Sequence, residues 1–443
     1  MADAKPRASL SVLDGIAIMV GIVVGTGIFR TPPLVASNVE TEFAFMAVWL
    51  VGGLAVLIGA LCYAELATAY PDAGGEYNFL KRAFGRRPAL LFAWARCTVI
   101  QPVAIAAVAF VYGDYMQQIL PLGAYGGALH AAIVIALLTG LKIVGTVESK
   151  SLQIVLTVLG LLAIAAVVVA GLFVDPVAAA SVASGTEVAG GALGMAMVFV
   201  LLTYGGWNEA AYISGELRDV RRSIIRVLII GTALIVVTYI AINLAFLHVL
   251  GLEGLRATDA PAADVMRAVI GEIGVIVLSL IVGIAAMSTI NATIFTGARA
   301  YYALGRDVPQ LVGVGNWDGR GDTPLNGLLA QGAFALGLVL LGVVTRDGFQ
   351  AMVDYTAPVF WFFMLLVSLS LFTLRWADPD RERPFRVPFY PVLPALFMLS
   401  CAGLFYSSLA YTGSGALIGV GVLLAGLPLL LLKPRPANTA PAE

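Results

Sequence analysis

From residue 13 to residue 432 the chain is a nearly unbroken series of apolar runs, each about as long as a bilayer is thick. A membrane-crossing helix needs about 20 mostly apolar residues. Twelve runs meet that length: 13–36, 43–69, 88–120, 126–146, 151–174, 191–213, 223–250, 270–303, 325–344, 350–374, 389–411 and 414–432. Backbone polar groups in lipid must be satisfied within the protein, so single runs of this kind are helices. Composition agrees, since only 12% of residues are charged against about 25% in an ordinary soluble domain. The reading is an all-α membrane protein with short tails at 1–12 and 433–443 and no soluble domain. An even number of spans places both termini on one side. Lysine and arginine collect there, in the tails and at Lys81, Arg82, Arg86, Arg87, Arg218, Arg221, Arg222, Arg375, Arg381 and Arg383. The positive-inside rule then predicts cytoplasmic termini in a cell's inner membrane.

Several function classes fall away. A formal net charge of −1 gives no footprint for a nucleic acid. Cys62, Cys97 and Cys401 lie within apolar runs, which argues against a zinc site, a disulfide framework or a disulfide-linked accessory subunit. No metalloprotease or nucleophile-elbow motif is present, and "GTGIFR" carries Arg30 where a dinucleotide fingerprint needs its third glycine. A non-enzymatic protein without a cofactor is expected, working as a monomer or homodimer in the bilayer.

The first run contains "GIVVGTGIFRTP" (21–32), with glycines and then a charge at mid-membrane. Such a break frees backbone N–H groups and aims the positive end of a second half-helix at them. The N–H groups of Thr26, Gly27 and Ile28 could hold a carboxylate there. Alternatively Gly21 and Gly25 form a helix-packing face. A second break, Gly205-Gly206, follows in the sixth run, five runs later, within "LLTYGGWNEAAYISGEL". Its half-helix ends in free carbonyls near Leu202, Thr203 and Gly205, which attract an ammonium group, with Asn208 adjacent. Donors at one break and acceptors at the other describe an α-amino acid.

The chain resembles amino acid permeases of the amino acid–polyamine–organocation superfamily, closest to the L-type transporters and their bacterial relatives. The resemblance rests on "GIVVGTGIFRTP", "YAELATAYPDAGGEYNFLKRAFG" (63–85), "YGGWNEAAYISGELRDVRRSIIR" (204–226) and "NATIFTGARAYYALGRD" (291–307). It implies a leucine-transporter-like fold of two inverted five-helix repeats, about 13–174 and 191–374, with discontinuous helices 1 and 6. Helices 11 and 12 would occupy about 389–432. It further implies transport by alternating access, a re-entrant cytoplasmic segment at 68–82, and an inner gate containing Glu216 with nearby arginines; Trp207 is expected to act in gating as well. L-type transporters resemble one another in an aromatic residue that closes over substrate where this chain has Leu202. Small or branched neutral L-amino acids are therefore the expected cargo. The alternatives are polyamines or cationic amino acids countered by Glu209, or a channel or sensor on the same scaffold.

Coupling stays open among exchange, uniport, protons and sodium. Glu209 is the candidate proton site, though a carboxylate in the first turn of a half-helix also suits the helix dipole. Many bacterial relatives place a lysine in the fifth span, where this chain has Gly160. A sodium ion there would be held by the Gly21 and Val24 carbonyls with Ala285, Ser288 and Thr289. The two hydroxyls could equally bond back to their own helix. Arg30 and Asp354 are expected to pair as an outer gate, with lone snorkelling of Arg30 the alternative. Glu65 reads as structural, and Arg96 has no nameable partner.

Overall fold

The computed structural model describes residues 11–24, 27–72, 74–144, 150–173, 192–211, 217, 220–308, 313, 325–345, 348–411 and 414–431. The regular elements among them are all helices, without a strand. The first apolar run is two short helices, α1 (Val12–Val23) and α2 (Thr31–Ala36), with a 3₁₀ turn at Gly27–Phe29 between them. Ser11 and Asp14 cap α1 reciprocally, and Pro32 and Pro33 start α2, where a missing N–H costs nothing. Helix α3 (Glu42–Ala69) crosses back, and α4 (Glu76–Phe84) then tucks Glu76, Asn78, Phe79 and Leu80 into the protein.

The third span is α5 (Arg86–Ala95) and α6 (Gln101–Gln117), joined by a π-turn at Arg96–Ile100. Pro102 has no N–H to give and its ring presses on the preceding turn, so the ladder widens and the Gln101 N–H reaches the Arg96 carbonyl. Helices α7 (Gly126–Val144), α8 (Lys150–Leu172) and α9 (Ala192–Thr203) follow, and a 3₁₀ turn at Trp207–Ala211 continues the sixth run. Helices α10 (Val220–Arg256) and α11 (Pro261–Asp307) are bent at Gly251 (φ 66°) and Gly271 (φ 68°), where only glycine turns without strain. The chain ends with α12 (Leu325–Thr345), α13 (Gly348–Ala377), α14 (Val392–Tyr411), α15 (Ser414–Leu424) and a 3₁₀ turn at Leu427–Leu431.

Among the described residues nine helices are long and apolar enough to cross a membrane. They turn an apolar stripe outward, as in Leu129, Ile133, Leu137 and Leu141 at helical spacing on α7. Packing inside is close. Trp49 of α3 meets Tyr204 and Tyr239 edge-on at 5.8 and 6.1 Å. Glu65, 2% exposed, receives Nε and Nη2 of Arg375 at 2.7 and 2.6 Å and the Val387 N–H at 2.7 Å. It thereby fastens α3 to α13 and the segment beyond, a structural role.

Candidate substrate site between the two breaks

The breaks meet. A Cβ on Gly27 would lie 3.3 Å from Thr203 Cγ2, and one on Gly206 (φ 104°) would lie 3.0 Å from Ile22 Cγ2. At Gly206 the positive φ itself favours glycine, and at both positions a Cβ would press on the facing segment. Beside this crossing lies a cavity of about 280 Å³, lined by Gly21, Gly27, Leu202, Thr203, Gly205, Asn208, Glu209 and Thr289 among others. One wall is aliphatic and aromatic, formed by Val103, Ala104, Ala107 and Val108 of α6 with Phe349, Val353 and Phe360 of α13.

The freed backbone groups are partly taken up. The Gly205 N–H donates to the Leu202 carbonyl at 3.0 Å, and Tyr239 Oη donates to the Val23 carbonyl at 2.7 Å. The Thr203 carbonyl is 3.4 Å from the same phenol, while its own hydroxyl bonds back to Phe199. Ile28 is fully buried next to the crossing. Thr26 and Glu216 lie outside the described residues. Trp207 packs edge-on against Tyr63 at 4.8 Å and is 4% exposed.

Charge gathers at one end of the cavity, on the side of α4 and the Lys/Arg-rich loops. Arg96, in the π-turn, directs Nη2 at both oxygens of Glu209, 3.0 and 2.9 Å away. Its Nη1 stands 3.6 Å from Glu76 Oε2. The other Glu76 oxygen accepts from Asn208 Nδ2 at 2.6 Å and from Tyr63 Oη at 3.0 Å. Arg96 thus has partners that its sequence position did not reveal, 113 residues away in the case of Glu209. The missed signal was Glu76 itself. It lies in the 63–85 motif, and a buried cation in an apolar chain demands nearby carboxylates.

The other end differs from expectation. Arg30 pairs with Asp114 at 3.1 Å and Asp259 at 3.0 Å. Asp354, its expected partner, packs against Gly415 on α15. The correction has a simple geometric cause: Asp114 closes α6 and Asp259 lies between the two bent helices, both directly beside the start of α2. At the candidate sodium site, a Cβ on Gly160 would lie 3.9 Å from the Val24 carbonyl oxygen, so the fifth span does face that carbonyl. Thr289 donates its hydroxyl to the Ala285 carbonyl at 3.1 Å, and Ser288 is 9% exposed. Among the described residues no cluster of His, Cys, Asp and Glu could hold a metal ion.

The family model for amino acid permeases matches residues 10–427. This chain belongs to the amino acid permease family. It is 30% identical over 408 residues to the mouse b(0,+)-type amino acid transporter 1, covering 89% of this chain and 81% of the mouse protein. It is 27% identical to the mouse large neutral amino acids transporter small subunit 2, over 96% of this chain and 81% of that one. The human cystine/glutamate transporter is 26% identical over 97% of this chain and 87% of its own length. The permease is a multi-pass membrane protein and a non-enzymatic amino acid transporter.

Proposed function

We propose that this permease carries small or branched neutral L-amino acids by alternating access, with its termini on the cytoplasmic side of an inner membrane. One observation carries the reading. Gly27, Thr203 and Gly205 of the two breaks line the cavity beside a wall made of Val103, Ala104, Ala107, Val108 and Leu202, so an amino acid whose two termini met the breaks would lay its side chain on that wall. That wall suits an aliphatic side chain, which gains by leaving water. The names of the three relatives reach from large neutral amino acids to cystine and glutamate, so the wall rather than the family selects the cargo. Glu209 would have to be available to counter a cationic side chain, but Arg96 already engages both its oxygens. This favours neutral cargo over polyamines. Exchange without sodium is the coupling mode in this reading; the Thr289 hydroxyl donates to the Ala285 carbonyl, in keeping with a helix-packing role for it. The transporting unit is a monomer or homodimer; all three cysteines are buried away from any disulfide-linked partner.

The test is uptake of radiolabelled alanine and leucine into liposomes holding the purified protein, with and without internal amino acid, and with sodium replaced by choline. Uptake should require internal amino acid and survive choline. Collapse in choline would assign the carbonyl beside Gly160 to sodium, and transport of lysine or putrescine in place of leucine would overturn the neutral cargo.

A further inference from the structure

The charged end of the cavity is built from the turn that follows the second break, the π-turn of the third span and the start of α4. Asn208 and Glu209 are neighbours on the short 3₁₀ turn Trp207–Ala211, which follows the second break. Arg96 sits in the π-turn of the third span, and Glu76 begins α4, itself packed against α5 and α13. The turn packs against α1, α3 and α10, and its two side-chain bonds to the neighbouring elements are Glu209 to Arg96 at 2.9 Å and Asn208 to Glu76 at 2.6 Å. Arg96 and Glu76 face one another at 3.6 Å, longer than a direct charge-assisted hydrogen bond.

We propose that Arg96 is a shared-partner latch on the Lys/Arg-rich end of the substrate cavity. In the closed state Arg96 holds Glu209 while Glu76 holds Asn208. When the 3₁₀ turn swings away, both bonds break together and Arg96 closes onto Glu76. The inference rests on the transport reading above and adds to it the two states of one gate.

Physical chemistry favours this arrangement over a plain ion pair. Breaking a buried pair and leaving one charge unmatched is strongly disfavoured, so a gate built on a plain pair would open only rarely. A second carboxylate already in place removes that penalty from the guanidinium. The released Glu209, whose side chain is 23% exposed, is the one partner that opening hands to water. Glu76, at 4%, stays buried and receives the cation. The two states then differ by a trade of hydrogen bonds, which is the scale on which substrate binding can shift a population.

The latch predicts opposite signs for its two carboxylates. Glu209→Gln weakens only the closed state and should open the cavity; Glu76→Gln removes the partner of the open state and should keep it shut. Ala292, a small cavity-lining residue of α11, serves as a reporter when replaced by cysteine. Its labelling by a membrane-impermeant thiol reagent, applied from the Lys/Arg-rich face without substrate, reads the open population. The parent lacking the reporter corrects for the three native cysteines. Labelling should rise about fivefold in Glu209→Gln and fall about fivefold in Glu76→Gln, the shift expected for losing a typical hydrogen bond. Asn208→Ala, which removes neither charge but deletes the bond to Glu76, should raise labelling as Glu209→Gln does, and keeps the test alive where a Glu76 variant fails to fold. Changes of one sign in both carboxylate variants, or none in either, overturn the latch. The readout needs no transport, so failure of the latch is separate from failure of the cargo assignment, which the uptake experiment decides.

Discussion

Arg30 and Arg96 are the two arginines at opposite ends of the cavity, and each faces two carboxylates. Their side chains are similarly buried, at 8% and 9% exposure. The partners differ. Arg96 meets Glu76 and Glu209 at 4% and 23%, whereas Arg30 meets Asp114 at 26% and Asp259 at 78%. Coulomb attraction at a given distance is several times stronger in the low-dielectric interior than at a wet surface. Desolvation makes the buried set correspondingly unforgiving of any missing member. The cluster around Arg96 therefore behaves as one unit, while that around Arg30 is a set of separable contacts backed by neutral ones. Tyr115 donates to the Phe29 carbonyl at 3.1 Å, and Arg256 Nε donates to the Ala36 carbonyl at 2.9 Å, so α2 is tied down several ways at once.

The largest contrast should appear on removing the arginines themselves. Arg96→Gln leaves two carboxylates facing each other in the protein and should cost about 3–5 kcal/mol, read as a lower melting temperature in detergent. Arg30→Gln should cost markedly less, because Asp259 can return to water. Replacing Arg96, Glu76 and Glu209 together by apolar residues of similar size should recover much of the lost stability, since an apolar set often substitutes for a buried ionic cluster. Equal melting temperatures for the two single variants would erase the distinction between the ends.

A second contrast lies between the partners of Arg30. Asp114→Asn removes the more buried carboxylate and should lower stability by about 1 kcal/mol, the usual scale of a hydrogen-bonded contact. It should also speed thiol labelling of the cavity from the face opposite the Lys/Arg-rich one, because α2 loses its tie to the end of α6. An unchanged rate would mean that Arg30 is held by Asp259 alone.

The helices were legible because lipid allows so little else: a 20-residue apolar run has one structural answer. Both breaks were legible for the same reason, since Gly25 and Gly205-Gly206 are costly where they stand. Pairing was not. Arg96 could be seen as a misfit in its span, but Glu209 and Glu76 reach it only through packing of the third span against the sixth and α4. Arg30 was matched to Asp354 by depth along a span. The bends at Gly251 and Gly271, which lay the segment between them across the end of the protein and bring Asp259 to Arg30, leave no mark that depth alone can read. Glu65 was easier. Its place near the end of α3 already set it among the arginines of the 375–386 stretch.

The smallest effect, and the sharpest probe of the comparison, concerns Asp259. Its side chain is 78% exposed, so its pairing with Arg30 competes with water and with dissolved ions. Exposed pairs contribute about 0–1 kcal/mol, and the Debye length of about 8 Å at physiological ionic strength screens them further. Asp259→Asn should therefore shift the melting temperature by no more than a degree or two and leave leucine uptake near that of the parent. The small deficit should vanish as salt rises from about 0.05 to about 0.5 M, because screening weakens the parent's pair until parent and variant coincide. Glu209→Gln, tested in the same series, should keep its effect on cavity labelling at every salt concentration, since ions do not reach a pair held at 2.9 Å behind the Lys/Arg-rich end. A salt-sensitive Glu209→Gln beside a salt-insensitive Asp259→Asn would reverse the assignment of the two ends, making the Arg30 cluster the interior lock and the Arg96 cluster the one open to water.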